Sequence, residues 1–157
     1  MKKAAQIAVC GKNFACDMGT FNKQHFVYIA AFGIFTDVAY STKQNMKNVL
    51  GHMAYLLEGV KRLTNIPSYH MKFSSKEMTE EGDFIFGMVT NSRSVGGFRS
   101  MIGRQVVFDD GLFEVTLIKT PKNPLELQEI VAALLIEQID TKYMFTFRTG
   151  EIAFESL

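Results

Sequence analysis

Only two thiols, Cys10 and Cys16, occur in 157 residues, with five residues between them. That spacing is not a zinc spacing, and no histidine pair stands near enough to complete one. The chain carries no tryptophan, three prolines and three histidines. His25, His52 and His70 are scattered, so each reads as an ordinary surface or core histidine rather than as a ligand or base. The formal net charge is only +1, and there is no Lys/Arg run, so nothing draws the chain to nucleic acid. No apolar stretch approaches the roughly 18 residues of a membrane-spanning helix. The opening MKKAAQIAVC imitates a secretory leader, but Gln6 and Lys12 break its apolar part, so no leader is expected and the thiols are expected reduced. GxxxxGK[ST], GxGxxG and G-x-S-x-G are all missing, and no catalytic constellation is complete.

What is present is apolar material. Hydrophobic residues make up 47% of the chain and charged residues 21%, enough for one packed domain over residues 1–157 and against disorder. The 9 methionines and 14 phenylalanines read first as core filling.

The pattern predicts short strands joined by turns at the start: Ala4–Val9, Phe14–Phe21 and the apolar run His25–Phe35, with Gly33 marking a bulge or a close backbone approach. Ser41 or Thr42 caps a predicted helix whose stripe includes Met46, Val49, Leu50, Met53, Leu57, Val60 and Leu63, ending before Pro67. Strands follow at Tyr69–Ser74 and Asp83–Thr90, joined by the polar stretch Lys76–Gly82. Pro124 suits the first turn of a second amphipathic helix, with Leu127, Ile130, Val131, Leu134 and Leu135 on one face, running to about Gln138. Tyr143–Arg148 and Ile152–Phe154 read as closing strands.

Between them lies the stretch of greatest chemical interest, Thr90 to Lys119. The apolar run Val106–Phe108, then Asp109-Asp110-Gly111, then a strand from Leu112 to Lys119 predict a hairpin, because Gly111 can take positive φ without a Cβ clash. Gly96 and Gly97 clear side chains from one patch, so a backbone or a ligand can approach. Two readings stay open for these residues. The hairpin is a plain turn, or Asp110 and nearby backbone carbonyls form a site for a hard cation or a phosphate.

One ordered set of residues carries a family resemblance. Ala31-Phe32-Gly33-Ile34-Phe35 is followed by Leu50-Gly51-His52-Met53-Ala54-Tyr55 with Gly59, then Asn91, the pair Gly96-Gly97, and Phe108-Asp109-Asp110-Gly111-Leu112-Phe113-Glu114-Val115. This order resembles the C-terminal domain of the soluble bacterial diacylglycerol kinase-like lipid kinases, cousins of the sphingosine and ceramide kinases. The resemblance implies a mainly-β α+β domain, an antiparallel β-sandwich-like body with two principal helices. It implies a two-domain parent in which ATP and lipid meet in a cleft and the lipid hydroxyl takes the γ-phosphate, giving a phosphatidic-acid-type product. It also implies a structural Mg²⁺ held by the Asp110 carboxylate and by the backbone carbonyls of Val107 and Leu112. Asn91, Gly96 and Gly97 are then candidates for the substrate cleft.

The departures are part of the reading. The family's Gly-Gly-Asp-Gly-Thr nucleotide motif is missing, and so is its Leu-Asp-Gly-Glu motif with the catalytic base. Glu151, in Thr149-Gly150-Glu151, lacks the preceding Asp and is not given that role. The chain therefore reads as an excised C-terminal domain, inactive alone, with ATP bound mainly by the missing part. The implied partners are a lipid such as diacylglycerol and the membrane surface, met peripherally from the cytoplasm. A homodimer is left open. The rivals are a stand-alone β-rich binding module and an NAD kinase-like relative.

Overall fold

The computed structural model describes residues 2–34, 36, 66–95, 106–135 and 142–157. The long helix expected after Ser41, with Met53 and Leu57 in its stripe, lies outside the described residues. So do Gly96, Gly97 and the end of the second helix toward Gln138.

The chain opens on a helix, α1 (Lys2–Cys10), where a strand at Ala4–Val9 was expected. The segment is rich in Ala, Lys and Gln, which favour helix, and its single β-branched pair does not outweigh them. The expected strand Phe14–Phe21 shrinks to β1 (Gly19–Phe21). The expected strand His25–Phe35 divides into β2 (Gln24–Phe26) and β3 (Ile29–Gly33). β1 and β2 form an antiparallel two-stranded ribbon through the turn at Asn22, which takes φ 53°.

The body is one antiparallel six-stranded sheet. β4 (Tyr69–Ser75) turns through Lys76–Met78 into β5 (Thr79–Thr90), a strand of 12 residues. The polar stretch expected as a loop thus mostly lengthens β5. β6 (Phe113–Lys119), β7 (Met144–Thr149) and β8 (Ile152–Ser156) complete it. The order is β7-β6-β5-β4-β8, with β3 also on β5. β5 serves three neighbours: β4 pairs with its first half, β3 with its second half on that same side, and β6 runs along the other.

Two apolar clusters lie on opposite faces of this sheet. On one face Ile85, Met88, Ile118 and Met144 pack with Leu127, Ile130, Val131 and Leu134. Those last four belong to α2 (Pro124–Leu135), whose stripe follows the predicted spacing. Asn123 Oδ1 accepts from Glu126 N at 2.9 Å, and Glu126 Oε2 accepts from Lys122 N at 2.7 Å, so the first turn is capped as Pro124 there allows. On the other face the sheet curls onto itself. The Phe73 ring of β4 stands 5.7 Å from Phe145 and 6.0 Å from Phe147 of β7, although β5 and β6 lie between those strands. One curled sheet therefore gives the sandwich-like packing of a mainly-β α+β domain.

Two glycines make this packing work. Gly33 sits at φ +89°, and a Cβ there would strike the carbonyl of Ile85. A Cβ on Gly87 would strike the Phe32 ring, so its absence makes room for that ring against β5.

Candidate functional site

The expected hairpin does not form. Gly111 takes positive φ, at 75°, but the residues before it, Val106–Phe108, are irregular rather than a strand. β6 takes β5 and β7 as partners instead. Strand pairing in a six-stranded sheet decided this, because both edges of β6 are already filled, by β5 and by β7.

The loop 106–112 is held by distant groups. Phe108 O accepts from Asp17 N at 2.6 Å and from Asn91 Nδ2 at 2.9 Å. Asn91 Nδ2 also donates to Asp17 O at 3.3 Å. The Asp17 carboxylate accepts from Gly111 N at 2.7 Å. Asn91 is buried, and its amide must point this way round, since the reversed amide would put its oxygen against two carbonyl oxygens. Its Oδ1 is buried without a hydrogen-bond partner. Asp17 thereby caps the Asp110 loop.

Asp110 itself is doubly engaged. Its Oδ1 accepts from Leu112 N at 3.1 Å, an Asx turn, and its Oδ2 accepts from Arg148 Nη2. These contacts hold the Asp110 carboxyl below its usual range, with the Arg148 hydrogen bond the main cause. Arg148 Nε lies 3.3 Å from Oε1 of Glu114. Glu114 is fully buried, and neither of its carboxylate oxygens makes a hydrogen bond. Burial pushes its carboxyl up. Asp110, in turn, raises Arg148.

The site residues predicted from sequence divide accordingly. Asn91, just after β5, meets the Asp110 loop through its hydrogen bond to Phe108 O, two residues before Asp110. Val107 and Leu112 flank Asp110, with the Val107 side chain turned to solvent. Glu151 lies exposed in the β7–β8 turn, exchanging hydrogen bonds with Thr149. Arg148 and Glu114 were not foreseen. Their signal was present, since Glu114 sits between Phe113 and Val115 inside FEVTLIK, and Arg148 is the one charge in MFTFRT.

A hard divalent cation at Asp110 would find the following groups nearby. Two carboxylates sit together, one with buried oxygens that lack hydrogen bonds, and loop carbonyls are close in sequence. Among the described residues no group of three or more His, Cys, Asp or Glu is placed to hold a metal. Carbonyls and retained waters would fill the rest of the shell, as Mg²⁺ accepts.

Over 150 residues the chain is 25% identical to a diacylglycerol kinase of Bacillus subtilis, covering 96% of this chain and 49% of that protein. A probable YegS-like lipid kinase of Pseudomonas aeruginosa is 33% identical over 107 residues, 68% of this chain and 35% of that protein. The chain belongs to the diacylglycerol kinase-like lipid kinases. A crystal structure of a diacylglycerol kinase from Bacillus anthracis has the same fold, with a TM-score of 0.61 at 21% identity, covering 98% of this chain and 49% of that one. No family model matches the chain. The chain spans about half the length of these lipid kinase relatives. Among the described residues no helix is long and apolar enough to cross a membrane.

Proposed function

We propose that this chain is the C-terminal, lipid-side domain of an ATP-dependent lipid kinase that phosphorylates a diacylglycerol-type hydroxyl and releases a phosphatidic-acid-type product. The likeness to lipid kinases over nearly the whole chain carries this reading. Phosphoryl transfer of this kind depends on holding the hydroxyl in line with the γ-phosphate and on neutralising charge.

This chain's own part is to build one wall of the lipid cleft and to brace it. Asn91 positions the loop 106–112, and Gly96 and Gly97 are assigned to the cleft wall. The Asp110 carboxylate and the carbonyls of Val107 and Leu112 hold a structural Mg²⁺, whose fixed positive charge stiffens the loop. ATP, with its own Mg²⁺, is bound mainly by the rest of the protein. Phe14, Met18, Phe21 and Val27 are all exposed, which supports a chain that meets apolar material at a membrane surface from the cytoplasmic side. The near-neutral charge supports no role with nucleic acid.

The test is transfer of labelled phosphate from ATP to diacylglycerol in mixed micelles. The full-length protein is expected to label the lipid, and the 157-residue chain alone is expected not to. Asp110→Asn is expected to cut full-length activity by about 10–100-fold, the usual scale for a disturbed metal shell, with Asp109→Asn milder. Labelling of NAD in place of lipid, labelling of lipid by the chain alone, or a silent Asp110→Asn would each overturn the corresponding part.

A further inference from the structure

Arg148 occupies the position a cation would want. Its guanidinium lies between the carboxylates of Asp110 and Glu114. Glu114 and Arg148 are direct cross-strand partners of β6 and β7, so their side chains stand on the same face. The Glu114 carboxylate is sealed from water with neither oxygen hydrogen-bonded. Arg148 is a third exposed, and Asp110 about a quarter, so the outer end of the pair has room to rearrange while the inner end does not.

A buried carboxylate with two unsatisfied oxygens is an unfinished site, because leaving it so carries the desolvation penalty of a charged group. A guanidinium offers five donors in a fixed fork. Among the described residues its Nη2 donates to Asp110, while Nε stands at ion-pair distance from Glu114 without hydrogen-bond geometry. A small rotation of the fork toward Glu114 would satisfy the buried oxygens and release Asp110.

We propose that Arg148 is the built-in competitor for the cation at Asp110, and that Glu114 is the seat to which Arg148 withdraws when a divalent cation binds. This rests on the reading of Asp110 as a metal ligand. Two carboxylates and one guanidinium leave one net negative charge on the site. Neutralising Glu114 removes that charge and fixes Arg148 on Asp110. Neutralising Arg148 removes the competitor and leaves two negative charges. The two substitutions therefore shift cation affinity in opposite directions. A purely structural ion pair would have no such sign pattern.

The experiment measures Mn²⁺ binding by electron paramagnetic resonance on the full-length protein without nucleotide. The site in question is the Mn²⁺ lost on Asp110→Asn. Arg148→Gln is expected to tighten that site by about tenfold or more, the scale of one partly screened unit charge beside the ion. Glu114→Gln is expected to weaken it by about as much. The double variant Glu114→Gln/Arg148→Gln, which buries no unpaired charge and so guards against misfolding of the single variant, is expected to bind more tightly than Glu114→Gln alone. If Arg148→Gln leaves affinity unchanged or weaker in both backgrounds while Asp110→Asn abolishes binding, the competition is overturned and the metal site stands. If Asp110→Asn removes no Mn²⁺, the metal reading itself falls.

Discussion

Glu114 and Arg148 face each other across β6 and β7, with Arg148 Nε 3.3 Å from Glu114 Oε1. The row continues across the sheet, since Glu114 is also paired with Thr90 of β5, and Thr90 with Ile29 of β3. Thr90 Oγ1 donates to Tyr28 O at 2.7 Å, and Asn91 N donates to the same oxygen at 3.1 Å. One cross-strand row thus connects the buried charge to the clamp on the Asp110 loop.

Breaking this pair from the arginine side should be costly. Arg148→Ala strands the Glu114 carboxylate in the interior, and loss of one partner of a buried pair costs roughly 3–5 kcal/mol. Arg148 is a third exposed, so the low end, about 3 kcal/mol, is expected. Glu114→Gln should cost less, because it leaves no buried charge. Urea unfolding of both variants checks the order; equal losses would mean that Glu114 is not held charged by Arg148.

The two carboxylates should act on stability in opposite directions with pH. Glu114 has its folded value raised above the ordinary 4.5 by burial, so the fold binds its proton more tightly than the unfolded chain. Stability from this group is present below pH 4.5 and is lost as pH rises through the folded value. Asp110 is lowered from 3.8, so its contribution is present above that pH and is lost as pH falls through its folded value. The free energy of unfolding, measured against pH for the wild type and Glu114→Gln, should show the wild type losing ground relative to the variant above pH 4.5. Parallel profiles would contradict the assignment.

Gly33 and Gly111 both take positive φ, yet they should tolerate alanine very differently. At Gly33 a Cβ meets the Ile85 carbonyl, whereas at Gly111 nothing lies within 4 Å. Gly111→Ala should therefore cost only the left-handed backbone penalty, about 1–2 kcal/mol. Gly33→Ala adds a backbone collision, for a total of about 3 kcal/mol or more. The difference in denaturant midpoint is the measurement, and similar losses would mean that β3 and β5 are not packed this closely.

Asn91 holds the Asp110 loop through two carbonyl oxygens, so its removal should be felt locally as well as globally. Asn91→Ala should cost about 1–3 kcal/mol, because it removes both side-chain hydrogen bonds and leaves Asp17 O without this donor, while Phe108 O keeps the one from Asp17 N. Asn91→Asp should be worse, since a carboxylate would face the oxygens of Asp17 and Phe108. Amide hydrogen exchange at Gly111, whose N–H is now tied to the Asp17 carboxylate, should quicken in both variants. Unchanged exchange there would show that Asn91 does not position the loop.

Much of this protein was determined by local sequence. Alternating apolar residues placed β6, β7 and β8, the spacing from Leu127 to Leu134 placed α2, and Pro124 placed its first turn, because these signals depend only on neighbours within a turn or a strand. Positive φ at Gly111 was also legible, since it follows from a missing Cβ. The order of motifs around Asn91 and Asp110 was enough to point to the lipid kinase relatives.

Tertiary structure decided what the Asp-Gly turn would connect, and to what its carboxylate would be tied. Arg148 reaches Asp110 across 38 residues and Asp17 caps Gly111 across 94. Periodicity carries no information over such separations. Glu114 and Arg148 stand among apolar neighbours in β6 and β7, but their pairing depended on a register fixed only when the strands met. The same competition for partners left Val106–Phe108 out of the sheet, because β5 and β7 already filled both edges of β6.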